Sequence, residues 1–572
     1  MRRFELTINL ARPALSAGDA LIGLVLAALL YLGVRLAINA PQSVTGPDIS
    51  LAPTALPWYA FLSTGRMAIA YLISLAFTLV YGYTAARNRT ARTIMLPLLD
   101  ILQSVPILSF LPVVLLSLTS ILPQRFATEL ASVVLIVTSQ AWNMTYSFYQ
   151  SMTTIPEELR EATKIFRLNA WLRFKTLEMP FAANGLIWNS IVSWAGGWFF
   201  LMASETFTVG ERDFRLPGLG SYLQAAANQN NVPAIFFGLL TLILVIVLLD
   251  QLVWRPVLVW ADRFKVQMVT GDDAPESWFY DLLNHSWIAQ TLTTHLSHPI
   301  GERLDQALVR RFKANPQADE AARPRPSIVA IVIAVAVVVG LLYAGLQAIG
   351  LLSTLPLSEY GRIGEGVLAT LLRVAIALVI AVVWTIPVGV LIGSNKRAAA
   401  ILQPIVQVVA SIPATALFPV IVLALIALTG SLNLPAIILM LLGTQWYVLF
   451  NVIAGTSAIP QDLRYTTSLL QVKGWARWRT LILPSLFPYL ITGMITAGGG
   501  AWNASIVAEY IKFGGDTYSA TGIGALIAEA TARGNYALLL ASTLALIITV
   551  VTINRTLWRR LYRIAEERFK ME

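Results

Sequence analysis

One stretch occurs twice in this chain, and each copy is a polar island between long apolar runs. The first, Ile155–Pro180, reads IPEELREATKIFRLNAWLRFKTLEMP, and the second, Ile459–Pro484, reads IPQDLRYTTSLLQVKGWARWRTLILP. The two align without a gap at an offset of 304, through Leu159/Leu463, Arg160/Arg464, Trp171/Trp475, Arg173/Arg477, Thr176/Thr480 and Pro180/Pro484. Pro156 and Pro460 suit a first helical turn, where a missing N–H costs nothing. Glu157, Glu158 and Asp462 favour the positive end of the helix dipole there. Leu159, Ala162 and Phe166 then recur at helical spacing, as do Leu463, Thr466 and Leu470 more weakly. A short amphipathic helix that leaves a membrane and returns to it is a docking surface for a soluble partner.

The membrane follows from composition. Of 572 residues, 56% are hydrophobic and only 13% charged, with mean hydropathy +0.68. A soluble globular protein of this size cannot hide that much apolar side chain, so the class is polytopic membrane protein. Cys is absent, which excludes disulfides, thiolate metal sites and Cys catalysis. The net charge of +10 is placed in alternate loops between apolar spans, as orientation in a bilayer requires, rather than in a nucleic-acid-binding patch.

Six apolar spans are expected in the first half, near 20–40, 60–86, 97–118, 126–150, 180–207 and 233–254. Each approaches the length that crosses about 30 Å of hydrocarbon. The first is too long and too poorly ended for a cleaved signal peptide. Arg2, Arg3 and Arg12 precede it, and Arg87, Arg89 and Arg92 follow the second span, so the positive-inside rule places the N-terminus in the cytoplasm. The Ile155–Pro180 island, after span four, falls on the same side. Opposite loops are poor in charge or mixed, as in Glu211, Arg212, Asp213 and Arg215.

Residues 261–326 are a polar cytoplasmic connector, in which Trp278–Ile288 and Leu304–Phe312 have the character of short surface helices. It holds all three histidines, His285, His295 and His298, but no Cys or dense carboxylate cluster converges with them, so no metal site is expected. The second half then repeats the first, with spans near 327–352, 363–393, 402–428, 432–455, 485–510 and 536–557 and a basic, cytoplasmic C-terminal tail. Before the island Arg66/Arg373, Pro97/Pro404, Ser104/Ser411, Pro106/Pro413 and Pro112/Pro419 share an offset of 307; after it Trp198/Trp502, Glu205/Glu509, Gly218/Gly522 and Gly220/Gly524 return to 304. This is an internal duplication. Six spans per unit put both copies in one orientation, related by an axis along the membrane normal. The organisation is a first transmembrane repeat at 1–260, the connector at 261–326 and a second transmembrane repeat at 327–572.

An island of the form E-A-A-x-x-x-G, with Leu-Pro ending nineteen residues after the Glu, resembles the cytoplasmic EAA loop of ABC importer permeases. Here Glu161-Ala162-Thr163 begins the pattern and Met179-Pro180 ends it, while the second copy has Tyr465-Thr466-Thr467 and Leu483-Pro484. The Gly of the pattern is replaced by Arg167 and Gln471. The Pro-rich third spans, and the Gly-Leu-Gly-Ser-Tyr-Leu and Gly-Ile-Gly-Ala-Leu-Ile stretches after span five, are similar to the nitrate/sulfonate/taurine/bicarbonate branch of binding-protein-dependent, type I importers. The chain resembles two such permeases fused, over roughly 57–260 and 357–560. The resemblance implies an all-α membrane fold of about twelve transmembrane helices in the bacterial cytoplasmic (inner) membrane. It implies two ABC ATPase subunits docked on the islands and an extracytoplasmic substrate-binding protein. The chain itself has no G-x-x-x-x-G-K-[ST], so it carries no P-loop; ATP and Mg are expected on the partners, and no catalytic residue is expected here.

Leu159, Arg160, Glu161, Ala162 and Phe166, with Leu463, Arg464 and Leu470, are the expected ATPase contacts. The bland alternative is an ordinary amphipathic helix lying on lipid headgroups. Polar groups inside apolar spans are costly and serve as candidates for the translocation path: Gln103, Ser104, Gln140, Asn143, Trp198 and Glu205, with Gln407, Ser411, Gln445, Trp502, Asn503 and Glu509. For the uncharged ones inter-helix hydrogen bonding is an equal reading, and Arg66 and Arg373 read as anchors at the starts of spans. A twelve-span secondary transporter driven by an ion gradient is the competing function, but it predicts buried ion-coupling carboxylates and nested three-span repeats. A membrane scaffold is the third class, and it has no need of a duplicated island.

Overall fold

The apolar spans fold as helices in the computed structural model, which describes residues 17–41, 43–209, 212–264, 277–286, 298–311, 328–513 and 516–568. The basic N-terminal segment with Arg2, Arg3 and Arg12, His295, and much of the connector lie outside the described residues. In the first half, spans one, two, four, five and six are Ala17–Ala37, Leu56–Arg87, Gln124–Thr153, Met179–Glu205 and Val232–Leu249. Their counterparts are Ile328–Leu352, Leu357–Ser394, Asn433–Ser457, Leu483–Ala508 and Tyr536–Ile553. Among the described residues, seven helical segments are long and apolar enough to cross a membrane, and shorter apolar helical segments include Leu24–Ala37, Ile107–Ile121, Val339–Leu352 and Ala414–Ile426. This is an all-α membrane architecture in two repeats.

The third span of each half departs from the expected continuous helix. Arg89–Ser104 is followed by Leu111–Ile121, and Lys396–Ser411 by Ala414–Thr429. The breaks fall at Pro106 and Pro413. Proline has no N–H to give and pushes the preceding residue into extended geometry; Val105 (φ −75°, ψ 124°) and Ile412 (φ −73°, ψ 117°) adopt it. Each leading segment starts at an Asn cap. Asn88 Oδ1 accepts from Thr90 N (3.0 Å) and Ala91 N (3.2 Å), and Asn395 Oδ1 from Arg397 N (3.0 Å) and Ala398 N (3.3 Å).

Packing runs across the repeat boundary. The Ala17–Ala37 helix lies against Ile328–Leu352 and touches Tyr536–Ile553, whose Tyr536 hydroxyl donates to Ala37 O (2.8 Å). Val105, Ile107, Leu108 and Leu111, at the break in the first half, belong to one apolar core with Trp502, Ile506, Leu538 and Leu546 of the second. Asn503 Oδ1 accepts from Leu108 N (3.2 Å); at the matching place Thr415 Oγ1 donates to Phe199 O (3.3 Å). Each break is thus seated against the other half's fifth span. After span five each half makes a small hairpin, Thr208–Val209 with Arg212–Asp213 and Tyr510–Phe513 with Asp516–Ser519, then a largely buried helix, Leu219–Asn228 or Ile523–Arg533.

Candidate functional site

Both islands fold as helices, Glu157–Ile165 and Gln461–Leu469. Each ends in the same turn. Leu168 N donates to Thr163 O and Arg167 N to Lys164 O, both at 3.0 Å; Val472 N and Gln471 N do the same to Thr467 O and Ser468 O. This is the Schellman arrangement, which puts one residue in left-handed geometry. Arg167 (φ +50°) and Gln471 (φ +53°) occupy it where the resembled pattern has Gly. The turn survives the substitution, with some backbone strain.

The island residues divide into outward and inward groups. Phe166 and Leu470 are 75% and 71% exposed at the helix tips, flanked by Ile165 and Leu469, and Leu159 and Leu463 are also exposed. Glu161 is exposed and Ala162 half-buried. The arginines act on their own chain: Arg160 Nη2 donates to Met152 O (2.8 Å) and Arg464 Nη2 to Thr456 O (2.5 Å). These carbonyls lie in the last turn of span four, so each arginine ties the island to that helix. The far end of the first island runs through a π-turn, Phe174–Glu178, into span five, where Glu178 pairs with Arg87 and with Arg173 (3.2 Å). The first island is thus fastened to both span four and span five.

Glu205 and Glu509 are fully buried, each at the centre of a node. Glu205 Oε1 accepts from Arg66 Nη1 (2.8 Å) and Ser63 Oγ (2.7 Å), and Oε2 from Gly220 N (2.8 Å). Arg66 also forks onto Glu129, with both contacts at 2.6 Å, and reaches Pro217 O (2.9 Å). The twin node has Arg373 Nη1 (2.7 Å), Thr370 Oγ1 (2.7 Å) and Gly524 N (2.9 Å) on Glu509. There Arg373 reaches Asn433 Oδ1 (2.7 Å) and Thr521 O (2.7 Å) instead of a second carboxylate. Arg66 and Arg373 are not anchors at the starts of spans: they are buried and knit span two to span five and the following buried helix. In both nodes the carboxylate meets the first turn of that helix, which favours negative charge. The duplication marks both the Arg and the Glu in the sequence, but nothing in it pairs one with the other.

The other path candidates scatter. Gln140 is buried, with its Oε1 accepting from Ser74 Oγ (3.4 Å) and its Nε2 unpartnered. Asn143 Nδ2 donates to Ser193 Oγ (3.4 Å), and Gln445 Oε1 accepts from Trp384 Nε1 (3.1 Å). Trp198 and Trp502 are buried in apolar clusters, and Gln103 and Gln407 are exposed. The side chains of Ser104 and Ser411 lie outside the described residues. A cavity of about 100 Å³ opens between the halves, lined by Met202, Phe207, Phe418, Ile506 and Tyr510 with Thr206, Gln224 and Thr415. None of the described path candidates lines it. Gln224 Oε1 is buried at this cavity without a hydrogen-bond partner. Sequence reading missed Gln224 because it lies outside the main spans, in the short helix after the hairpin.

The profile of the binding-protein-dependent transport system inner membrane component family matches residues 78–253 and again 385–571. The chain is similar to the nitrate import permease protein NrtB of Synechocystis sp., 32% identical over 168 residues, 29% of this chain and 58% of that protein. It is 33% identical over 164 residues to the bicarbonate transport system permease protein CmpB of Synechococcus elongatus, 28% of this chain and 57% of that one. Against the taurine transport system permease protein TauC of Escherichia coli it is 30% identical over 144 residues, 25% and 50% of the two chains. The matches thus span little more than half the length of these relatives.

Proposed function

The chain belongs to the binding-protein-dependent transport system inner membrane component family, and from that premise we propose that it is the permease of an ATP-driven importer for a small anion or organic acid. The observation that carries this reading is the duplicated island, which presents Phe166 and Leu470 to solvent on helices fastened to spans four and five. An exposed apolar tip on a rigid, charged helix fits an apolar groove on a soluble subunit. Two such tips fit a pair of ATPase subunits, which bind ATP and Mg and drive the islands together or apart. Arg160 and Arg464 pass that displacement to spans four, and the π-turns Phe174–Glu178 and Trp478–Ile482 pass it to spans five. The broken third spans, each seated on the opposite fifth span, then shift with the interface between the halves.

The translocation path in this reading follows that interface, with the islands and both termini cytoplasmic and a substrate-binding protein delivering cargo from the other side. The relatives' names, nitrate, bicarbonate and taurine, support a small anion or organic acid as the cargo class. The test is purification of the chain from its native membrane in mild detergent. An ATPase is expected to co-purify with the wild type and to be lost from the double variant Phe166→Asp, Leu470→Asp, whose side chains are exposed and leave the fold intact. A folded wild type that brings no ATPase overturns the reading and moves ion-gradient-driven transport ahead of it.

A further inference from the structure

The two islands differ most on one flank. In the second, Lys473, Arg477 and Arg479 are exposed beside Trp475, which is 72% exposed, next to the Leu469–Leu470 tip. In the first, the matching positions are Asn169, Arg173, Lys175 and Trp171, and each is engaged. Asn169 Nδ2 donates to Val309 O (3.4 Å), Arg173 pairs with Glu178 (3.2 Å), and Asp305 pairs with Lys175 while accepting from Trp171 Nε1 (3.0 Å). Asp305 and Val309 belong to the connector helix His298–Arg311. On it Asp305, Leu308 and Val309 are half-buried at i, i+3, i+4 spacing; Arg303, Ala307 and Arg310, at i, i+4, i+7, are exposed on another face. The helix pairs Asp305 with Lys175, which stays half-exposed, and carries Arg303 and Arg310, with Glu302, exposed on its outside.

We propose that the connector helix is part of the first docking surface, its Arg303 and Arg310 replacing the basic flank that the second island carries in its own sequence. Both surfaces then offer an apolar tip beside exposed cations. They fit the same kind of partner, a nucleotide-binding subunit whose apolar groove has an acidic rim. This inference rests on the coupling reading above. Charges at such a rim are screened by salt and act on association more than on a buried contact, so the test is made at low ionic strength.

The chain has no Cys, so Glu161→Cys and Tyr465→Cys each give a single exposed thiol, one per island, for a benzophenone maleimide. Photo-cross-linking to the co-purified ATPase is then read at both positions. The surface double variant Arg303→Glu, Arg310→Glu is expected to lower the yield at 161 relative to 465 by roughly threefold or more, the scale of two exposed charge contacts. Arg477→Glu with Arg479→Glu is expected to do the reverse. Gel-filtration retention equal to wild type shows that neither double variant has unfolded. If the Arg303/Arg310 variant leaves the ratio unchanged, or lowers both positions equally, the connector helix is no part of the first surface. Absence of cross-links at both positions in the otherwise wild-type protein removes the coupling reading itself, and this inference with it.

Discussion

Replacing Glu205 and Glu509 separately by Ala separates two nodes that look alike. Deleting one partner of a buried ion pair costs about 3–5 kcal/mol, because the surviving charge stays buried. Glu509→Ala leaves Arg373 with two neutral acceptors, Asn433 Oδ1 and Thr521 O, so the whole of that range applies. Glu205→Ala leaves Arg66 forked onto Glu129, with both contacts at 2.6 Å. Glu129 is 43% exposed, which screens the pair and discounts its worth to about 1 kcal/mol. Glu205→Ala is therefore expected to cost about 2–4 kcal/mol, and Glu509→Ala about 1 kcal/mol more. Heating of such a large membrane protein is irreversible, so the readout is the apparent midpoint for loss of the monodisperse gel-filtration peak at one fixed heating rate. The expected order is wild type, Glu205→Ala, then Glu509→Ala, with Glu129→Ala on top of Glu205→Ala closing the gap. A Glu205→Ala midpoint at or below that of Glu509→Ala, while Glu129 is intact, refutes the reasoning.

Two other perturbations follow from the islands. Arg167→Gly and Gln471→Gly place the residue without a Cβ in left-handed geometry (φ +50° and +53°) and are expected to strengthen the Schellman turns by up to about 1 kcal/mol. Arg167→Val, β-branched, is expected to weaken its turn by a similar amount or more; hydrogen exchange at the amides of Leu168 and of the residue before it reads the loss, and the Leu168 amide reads the gain in Arg167→Gly. Bonds from Lys175 and then Trp171 hold the Asp305 carboxyl below the usual Asp range. A depressed folded pKa means that the contact is fully present above the ordinary Asp value of about 3.9 and is lost as pH falls below it. A nitroxide at Ala307→Cys is expected to keep constant mobility from neutral pH down to about 5 and to loosen only below about 4; loosening between about 7 and 5 contradicts the Asp305 anchor.

How much of this was legible in the sequence depended on the range of the interaction. The islands were legible because their helices are local: Pro, acidic first turn and apolar spacing lie within one stretch, and the stretch is repeated. The missing glycines concealed the turn, since Arg167 and Gln471 are poor left-handed residues, and six-residue backbone bonds set that geometry instead. The breaks at Pro106 and Pro413 were visible as prolines but not as breaks. Whether a proline kinks or ends a helix depends on what receives the freed chain, and here the receiver is the other half's fifth span, through Asn503 and Phe199. The Arg66–Glu205 pair was least legible, because its partners stand 139 residues apart and no local pattern selects one carboxylate over another.

The duplication supplies a finer criterion than either half alone. Residues that act through backbone geometry kept their identity in both copies: Arg160/Arg464 on a helix-end carbonyl, Asn88/Asn395 at a cap, Glu205/Glu509 on an amide of the next helix. Such roles are fixed by the fold, and the fold is shared. Trp171 and Trp475 are alike, but other positions that face a neighbour outside the repeat diverged: Asn169 stands opposite Lys473, and Lys175 opposite Arg479. Both meet the connector helix in one half and solvent in the other. The connector joins the repeats only once, and it rests on the first island. The asymmetry of the two island flanks thus follows from the single connector that joins the units in one chain.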